Sequence, residues 1–581
     1  HEAGLGASGN SNSQNTAVGR EALKSITTGA DNIAIGFKAG DAITSESSMI
    51  VIGRNAGGAI NSTDAVGTVA VGDHSAAALT SGQKSIAIGY EAMLYMTDGD
   101  NNTVVGHTAF RTADNGESDN VVIGRAAGYS INHASSDNNV IIGSAAGTGG
   151  AAEFSNNIAI GFAALNSTGT NAMIRTIAIG AEALTALTTG GTNNAVGYQA
   201  LKALTTGNSN HAFGYQSQAA NVDGEANVSF GRGTLATNVS GDQNTAFGHQ
   251  ALETFNSDVD GNNVAVGMNA LQAATTGVDN TVVGAFAGDA VTSQGSLTLV
   301  GKNAGGAIND DGADGTVAIG SGCLGQLTSG ADNVAVGMNS MFKLNTGHEN
   351  VALGKNAGFY ATTAGFNVFI GKEAGQGINA TKLTGDYNIT IGYRSGYLLQ
   401  GSAGSNVLVG GFSGDSITTG IENTCIGYAA RTSAATAQNQ IVIGRGATGI
   451  GDHSVTLGNS SVTDVYMAQD SGSTVHAGDA EFIKNTDGVT QALLLANNQA
   501  AAASSTNEAV QVLFGLSGEN DSGVIRVGKD EDYTSVGATS AFMSFYVKAD
   551  GTTSEVMRFR KHIGLGIGTT NPGEKLELKN S

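Results

Sequence analysis

The sequence predicts an all-β chain: a long parallel β-solenoid followed by a smaller antiparallel β domain. Three observations carry this. One short phrase recurs 26 times, as in NTAVGREAL (Asn15–Leu23), NVAVGMNAL (Asn263–Leu271) and NVALGKNAG (Asn350–Gly358). Gly occurs 87 times, Pro once and Trp never. After about residue 460 the period stops and short runs of alternating hydrophobicity take over.

Each copy is indexed by the glycine that follows its apolar run, from Gly19 to Gly458. Fifteen of the 25 spacings between these key glycines are 17 residues, and most others are 18 or 19. A longer echo overlies the short one. GDAITSESSMIVIGRNAGGAIN (Gly40–Asn61) returns as GDAVTSQGSLTLVGKNAGGAIN (Gly288–Asn309), 248 residues later, so a block of 14 copies reads as duplicated whole. Repeats of this length cannot bury a face alone and must stack, one coil on the next. At the spacing of a parallel ladder, such a stack would run on the order of 120 Å.

Within a copy, the residue before the key glycine is always Val, Ile, Leu or Phe, and the residue two before it is Ala in 13 copies. Neighbouring strand residues point to opposite faces, so the strand reads as buried on both. A single solenoid has one inner face, so the second is expected to meet another chain. Small residues such as Ala265 would then let strands approach a shared axis. Four before the glycine, 18 copies carry Asn, which predicts a side-chain ladder from coil to coil, or else a tolerance for the turn there. Three after it, every copy has Ala, Ser, Thr or Cys, a corner with no room for more. The following ALKSITTG (Ala22–Gly29) predicts a short helical turn closed by a glycine cap.

Residues 1–460 are therefore read as the solenoid shaft and 461–581 as a β-rich cap that sets register. The cap's expected strands lie in Glu508–Gly518, Gly523–Tyr533, Ala541–Gly551 and Glu555–Gly568. One coil reads much like the next, so three chains could slip by a coil unless the cap aligns them.

The phrase NTAVGxxALxxxTTG resembles repeats of tail-fibre-like proteins of phages and bacteria, and is more distantly similar to the SVAIG head repeats of trimeric autotransporter adhesins. GIGTTNPGEKLEL resembles the segment that precedes the intramolecular chaperone of phage tail fibres. The resemblance implies a homotrimeric fibre on a virion tail, outside the cell. Its partners would be a host-surface glycan or protein and the tail or baseplate proteins. It also implies maturation by loss of a C-terminal chaperone that cuts after a serine, which makes Ser581 the expected cleavage terminus. The chain starts at His1 without a signal-peptide pattern and reads as a fragment or a processed product. The alternative readings are a bacterial trimeric surface adhesin or extracellular filament subunit, and a polysaccharide-cleaving tailspike.

Other chemistry finds little support. A net charge of -22 argues against nucleic acid. No apolar run is long enough to span a membrane. Cys323 and Cys425 sit at small repeat positions and read as substitutes for Ala. The acidic loops TDGDNN (Thr97–Asn102), DVDGNN (Asp258–Asn263) and NDDGADG (Asn309–Gly315) read as solvated turns rather than calcium loops. GLGIG (Gly564–Gly568) lacks the helix that a dinucleotide fingerprint needs. Acidic residues are scattered through the repeat rather than paired for glycosidic cleavage. No catalytic, cofactor-binding or metal-binding residue is expected, and the repeats do not identify the receptor-binding residues.

Overall fold

The computed structural model describes residues 3–4, 13–166, 169, 171–463 and 465, and six C-terminal strands between 509 and 578. The chain divides into two units, His1–Val465 and Tyr466–Ser581. The first is the solenoid. Its 26 three-residue strands run from Thr16–Val18 to Val455–Leu457 and form one sheet. Each pairs in parallel with the strand of the next coil, in register, so Ala17 lies against Ala34 and Val334 against Val351. A second two-stranded ladder, Phe154–Ser155 with Met173–Ile174, forms where two coils are longer.

The key glycines are required by their close approach to one another. Gly337 has φ +132°, and a Cβ there would lie 2.6 Å from the carbonyl of Gly354 on the next coil. The other corners are turned by left-handed residues, as at Glu21 (φ 64°), Leu23 (φ 48°) and Asp31 (φ 61°) in the first coils. This overturns the short helical turn expected in Ala22–Gly29. A left-handed residue in mid-segment cannot continue a right-handed helix, and the segment is a run of turns. Leu23 is buried by that turn, which is why Leu recurs there. Among the described residues the only helix is the 3-10 turn Asp311–Ala313, in one acidic loop.

The core also corrects the expected facing of the strand. The middle residue points inward and is buried, as at Ala34, Val104, Ala265 and Phe369. Its two neighbours point outward and are half-exposed, as at Ile33 (37%) and Ile35 (39%). Ala two before the key glycine therefore packs inside its own coil, against the small corner residue, and not toward an axis shared with other chains. A coil of 17 residues is too narrow for a large side chain on every inward position, so Ala is the commonest residue there.

The expected asparagine ladder is present. Asn350 Nδ2 donates to Asn333 Oδ1 (3.0 Å) and to the Ala364 carbonyl (2.8 Å), while Asn333 Oδ1 also accepts the Asn350 backbone N–H (3.1 Å). The pattern repeats through Asn367, Asn388, Asn406 and Asn423. All are fully buried. Buried amides are costly without partners, so the ladder adds satisfied side-chain bonds to the backbone bonds between coils.

The C-terminal unit is a six-stranded sheet. Ala509–Gly515, Ser522–Lys529, Ala541–Ala549 and Thr552–Arg560 pair antiparallel in that order. The stretch read as one last strand divides in two, because Gly564–Ile567 folds back antiparallel on Thr552–Arg560. Leu576–Leu578 then adds in parallel, so the sheet is not wholly antiparallel. Tyr546 Oη and Arg558 both donate to the Glu555 carboxylate, at 2.7 and 2.6 Å.

Candidate functional site: the outward face of the coils

In-register stacking places every outward position above its own counterpart, one strand spacing away. The sheet therefore presents two continuous rows, three before and one before the key glycine. They hold mostly Val, Ile, Leu and Thr, with Ile389, Ile391, Leu353 and Ile443 each more than a third exposed. A contiguous apolar face of this length is unusual on a free surface.

The row is not uniform. In its middle, Phe213, Phe230 and Phe247 stand on successive coils, with ring centroids 5.7 and 4.7 Å apart. Beside them the Asn194 amide meets the His211 ring at 2.9 Å. The coils are therefore not all alike on this face. Just past the glycine a further column carries Tyr198 stacked on Tyr215 at 5.3 Å and Tyr90 on His107 at 5.0 Å.

The residues singled out in the sequence are not brought together. Cys323 and Cys425 are both buried and free, and burial pushes each thiol up to about 12. The acidic loops serve as rungs. Asp98 Oδ1 accepts the Gly116 N–H (2.6 Å), Asp260 Oδ2 accepts from Gln243 Nε2 (3.1 Å), and Asp314 Oδ1 accepts the Gly295 N–H (2.9 Å). No group of three or more potential metal ligands clusters among the described residues. Gly564–Ile567 of the GLGIG stretch lies on a strand. Ser581 lies outside the described residues. No helix among the described residues is long and apolar enough to cross a membrane.

Two buried carboxylates were missed. Glu46 and Glu117 sit seven before their key glycines, a place often held by Gly, and both point into the core. Glu46 Oε2 accepts the N–H groups of Thr44 and Ser45 at 2.6 and 2.9 Å. Glu117 Oε1 accepts the His133 N–H at 3.0 Å, while its Oε2 has no partner among the described residues. Burial lifts the Glu117 carboxyl to about 7. The signal was a charged residue at an inward position, visible only once the inward positions are known.

No protein-family model matches the chain, and no curated protein matches it significantly.

Proposed function

We propose that the chain is the subunit of a homotrimeric adhesive fibre, whose rod holds binding surfaces away from the particle or cell that bears it. The observation that carries this reading is the long, largely apolar outward face. Two half-exposed rows run over 26 coils, a longer apolar face than a free surface usually shows. Because each coil repeats the same pattern, the face best complements another copy of itself. The threefold count and the placement on a phage tail rest on the resemblance of the repeats to tail-fibre proteins. A bacterial surface adhesin or filament subunit is the second reading. Three linked copies would bind a surface glycan or protein with avidity.

Light scattering of the purified protein should give three times 58.0 kDa. Val266→Asp, on the outward row, should yield folded monomers. A stable wild-type monomer at micromolar concentration would remove the reading. Immunogold labelling of phage particles against bacterial cells separates the two placements.

A further inference from the structure

The duplicated block offers an internal comparison. As far as the coils of Gly106 and Gly354, positions 248 residues apart occupy the same place on the coil, and from Gly40 to Asn61 they carry closely similar residues. Beyond that the outward residues diverge. In the first copy two cations are paired: Arg54 with Asp73 at 2.7 Å, and Arg111 with Glu91 at 2.7 Å. In the second copy Asp73 is replaced by Ser321, Glu91 by Asn339 and Asp114 by Thr362. Arg54 becomes Lys302, which loses its acid, while Arg111 goes together with Glu91 and becomes Phe359; Tyr95 becomes Lys343, a new cation with no acid in Glu91's old place. Lys302, Lys343 and Lys382 make no ion pair among the described residues.

The same stretch opens in shape. Five residues after the key glycine, Gly306 and Gly325 stand on successive coils, between Asp289 and Phe342. The first copy carries Ala77 and Leu94 where the second has Gly325 and Phe342. The missing side chains leave a cavity of about 500 Å³, with Phe286 and Phe342 as apolar walls and Lys302, Asn303 and Gln326 at its edge. Phe342 lies along the gap, since a Cβ on Gly325 would meet its ring at 2.8 Å. Its ring stacks on Phe359 at 5.5 Å, forming a half-exposed aromatic ledge. A second cavity of about 430 Å³ shares Gln326 and continues past Lys343 to Lys382.

We propose that this groove, from Phe286 to Lys382, binds an anionic oligosaccharide. The inference rests on the adhesive reading and gives it a site. The ledge suits the apolar face of a sugar ring. Asp289, Asn303 and Gln326 supply acceptors and donors for hydroxyls. The lysines, unpaired on a chain of net charge -22, supply the attraction for carboxylate or phosphate groups along the glycan. The groove crosses about five coils, roughly 25 Å, which fits a chain of sugars rather than one. It is open and polar, unlike the closed apolar pockets that anchor protein partners.

The test uses the full chain and two defined probes, a galacturonic acid hexasaccharide and a glycerol-phosphate oligomer, read by biolayer interferometry and amide exchange. The methyl-esterified, neutral hexasaccharide and an oligodeoxynucleotide serve as comparisons. At least one anionic probe should bind at least tenfold more tightly than the neutral one, and slow exchange within 286–382 but not within 38–115. The double variant Ser321→Asp, Thr362→Asp restores the first copy's residues, which that scaffold already accommodates. It should weaken binding at least tenfold with an unchanged melting temperature. Lys302→Glu with Lys343→Glu should do the same. No binding of either anionic probe, equal binding of the neutral one, tighter binding of the oligonucleotide, or binding untouched by both double variants would overturn the groove. Variants that bind the probes as wild type does and still adhere to host cells would leave adhesion standing. Groove binding without adhesion to cells would remove the adhesive reading alone.

Discussion

The strand Ile86–Ile88 and the strand Val334–Val336 hold the same place in the two copies of the long block. Inside the coil many positions agree. Ala87 matches Ala335, Ala92 matches Ser340, and the ladder position holds Asn102 in one copy and Asn350 in the other. Outside they part, with Asp73 against Ser321 and Leu94 against Phe342. Inward positions differ too: Val104 in the first copy is Ala352 in the second, Ser85 is Asn333 and Glu117 is Ala364, all fully buried. The scaffold is thus a property of inward positions, which every coil must satisfy. Outward positions are free to vary and carry what distinguishes one stretch from another.

The largest effect should come from the key glycines, and it should be the same in both copies. A Cβ on Gly89 would lie 2.3 Å from the Gly106 carbonyl oxygen, and one on Gly337 would lie 2.6 Å from the Gly354 carbonyl. Gly89→Ala and Gly337→Ala should each destabilise by about 4 kcal/mol or more, since backbone clash adds to a disfavoured φ. Amide exchange across the neighbouring coils measures this. A large cost in one copy and a small one in the other would mean the two scaffolds are not equivalent.

Asn350→Ala should come next, at about 2–3 kcal/mol, because it leaves the Ala364 carbonyl and Asn333 Oδ1 short of buried donors. Asn102→Ala should cost less. The rung before it is Ser85, whose hydroxyl accepts the Asn102 N–H at 3.2 Å, so no second asparagine is stranded on that side. Equal costs at the two sites would show that the ladder is not cooperative.

Glu117 should make the first copy sensitive to pH where the second is not. Burial raises its folded-state value from 4.5 to about 7, so the folded chain holds the proton more tightly than the unfolded one. Its contribution is therefore complete below about pH 4.5, falls as pH rises to about 7, and is then level. Glu117→Gln keeps an acceptor for the His133 N–H and should stabilise the region by about 2 kcal/mol at pH 8, with no gain at pH 4. Exchange rates in residues 103–140 at the two pH values decide it. A gain of equal size at both would rule out the proton as the cause.

Asp73→Ala should have the smallest effect. It frees Arg54 from an exposed pair that salt screens, so the melting temperature should not move. Its value is chemical: Asp73→Ala should make the first copy more like the second at one position, and anionic probes should still bind it far more weakly than the groove, since Ala77 and Leu94 stand where Gly325 and Phe342 line the groove.

Much of the fold was legible because parallel in-register stacking makes each position meet itself. A demand at one position, such as glycine where two carbonyls pass or asparagine where two backbones need bridging, is then repeated in every coil. The facing of the strand was not legible. Residues one and two before the key glycine are both apolar, so the pattern alone could not say which lies inside. The helical turn in Ala22–Gly29 was misread because Ala-Leu-Lys favours helix locally, while the coil must turn back there and uses Leu23 in the left-handed region. Features that occur once, such as Glu117, the Phe213–Phe230–Phe247 stack and the groove beside Phe342, left no repeated signal.

The amino-acid sequence by itself determined that the chain is a stack of some 26 coils, where each coil begins, and that one place in 18 of them holds an asparagine suited to a ladder. These follow from local geometry that every coil shares. Only the tertiary structure decided which apolar row is core and which is surface, because that depends on the width left inside a closed coil. It alone placed Gly306 beside Gly325 and Lys343 near Lys382, residues far enough apart in sequence that only stacking brings their side chains to one face.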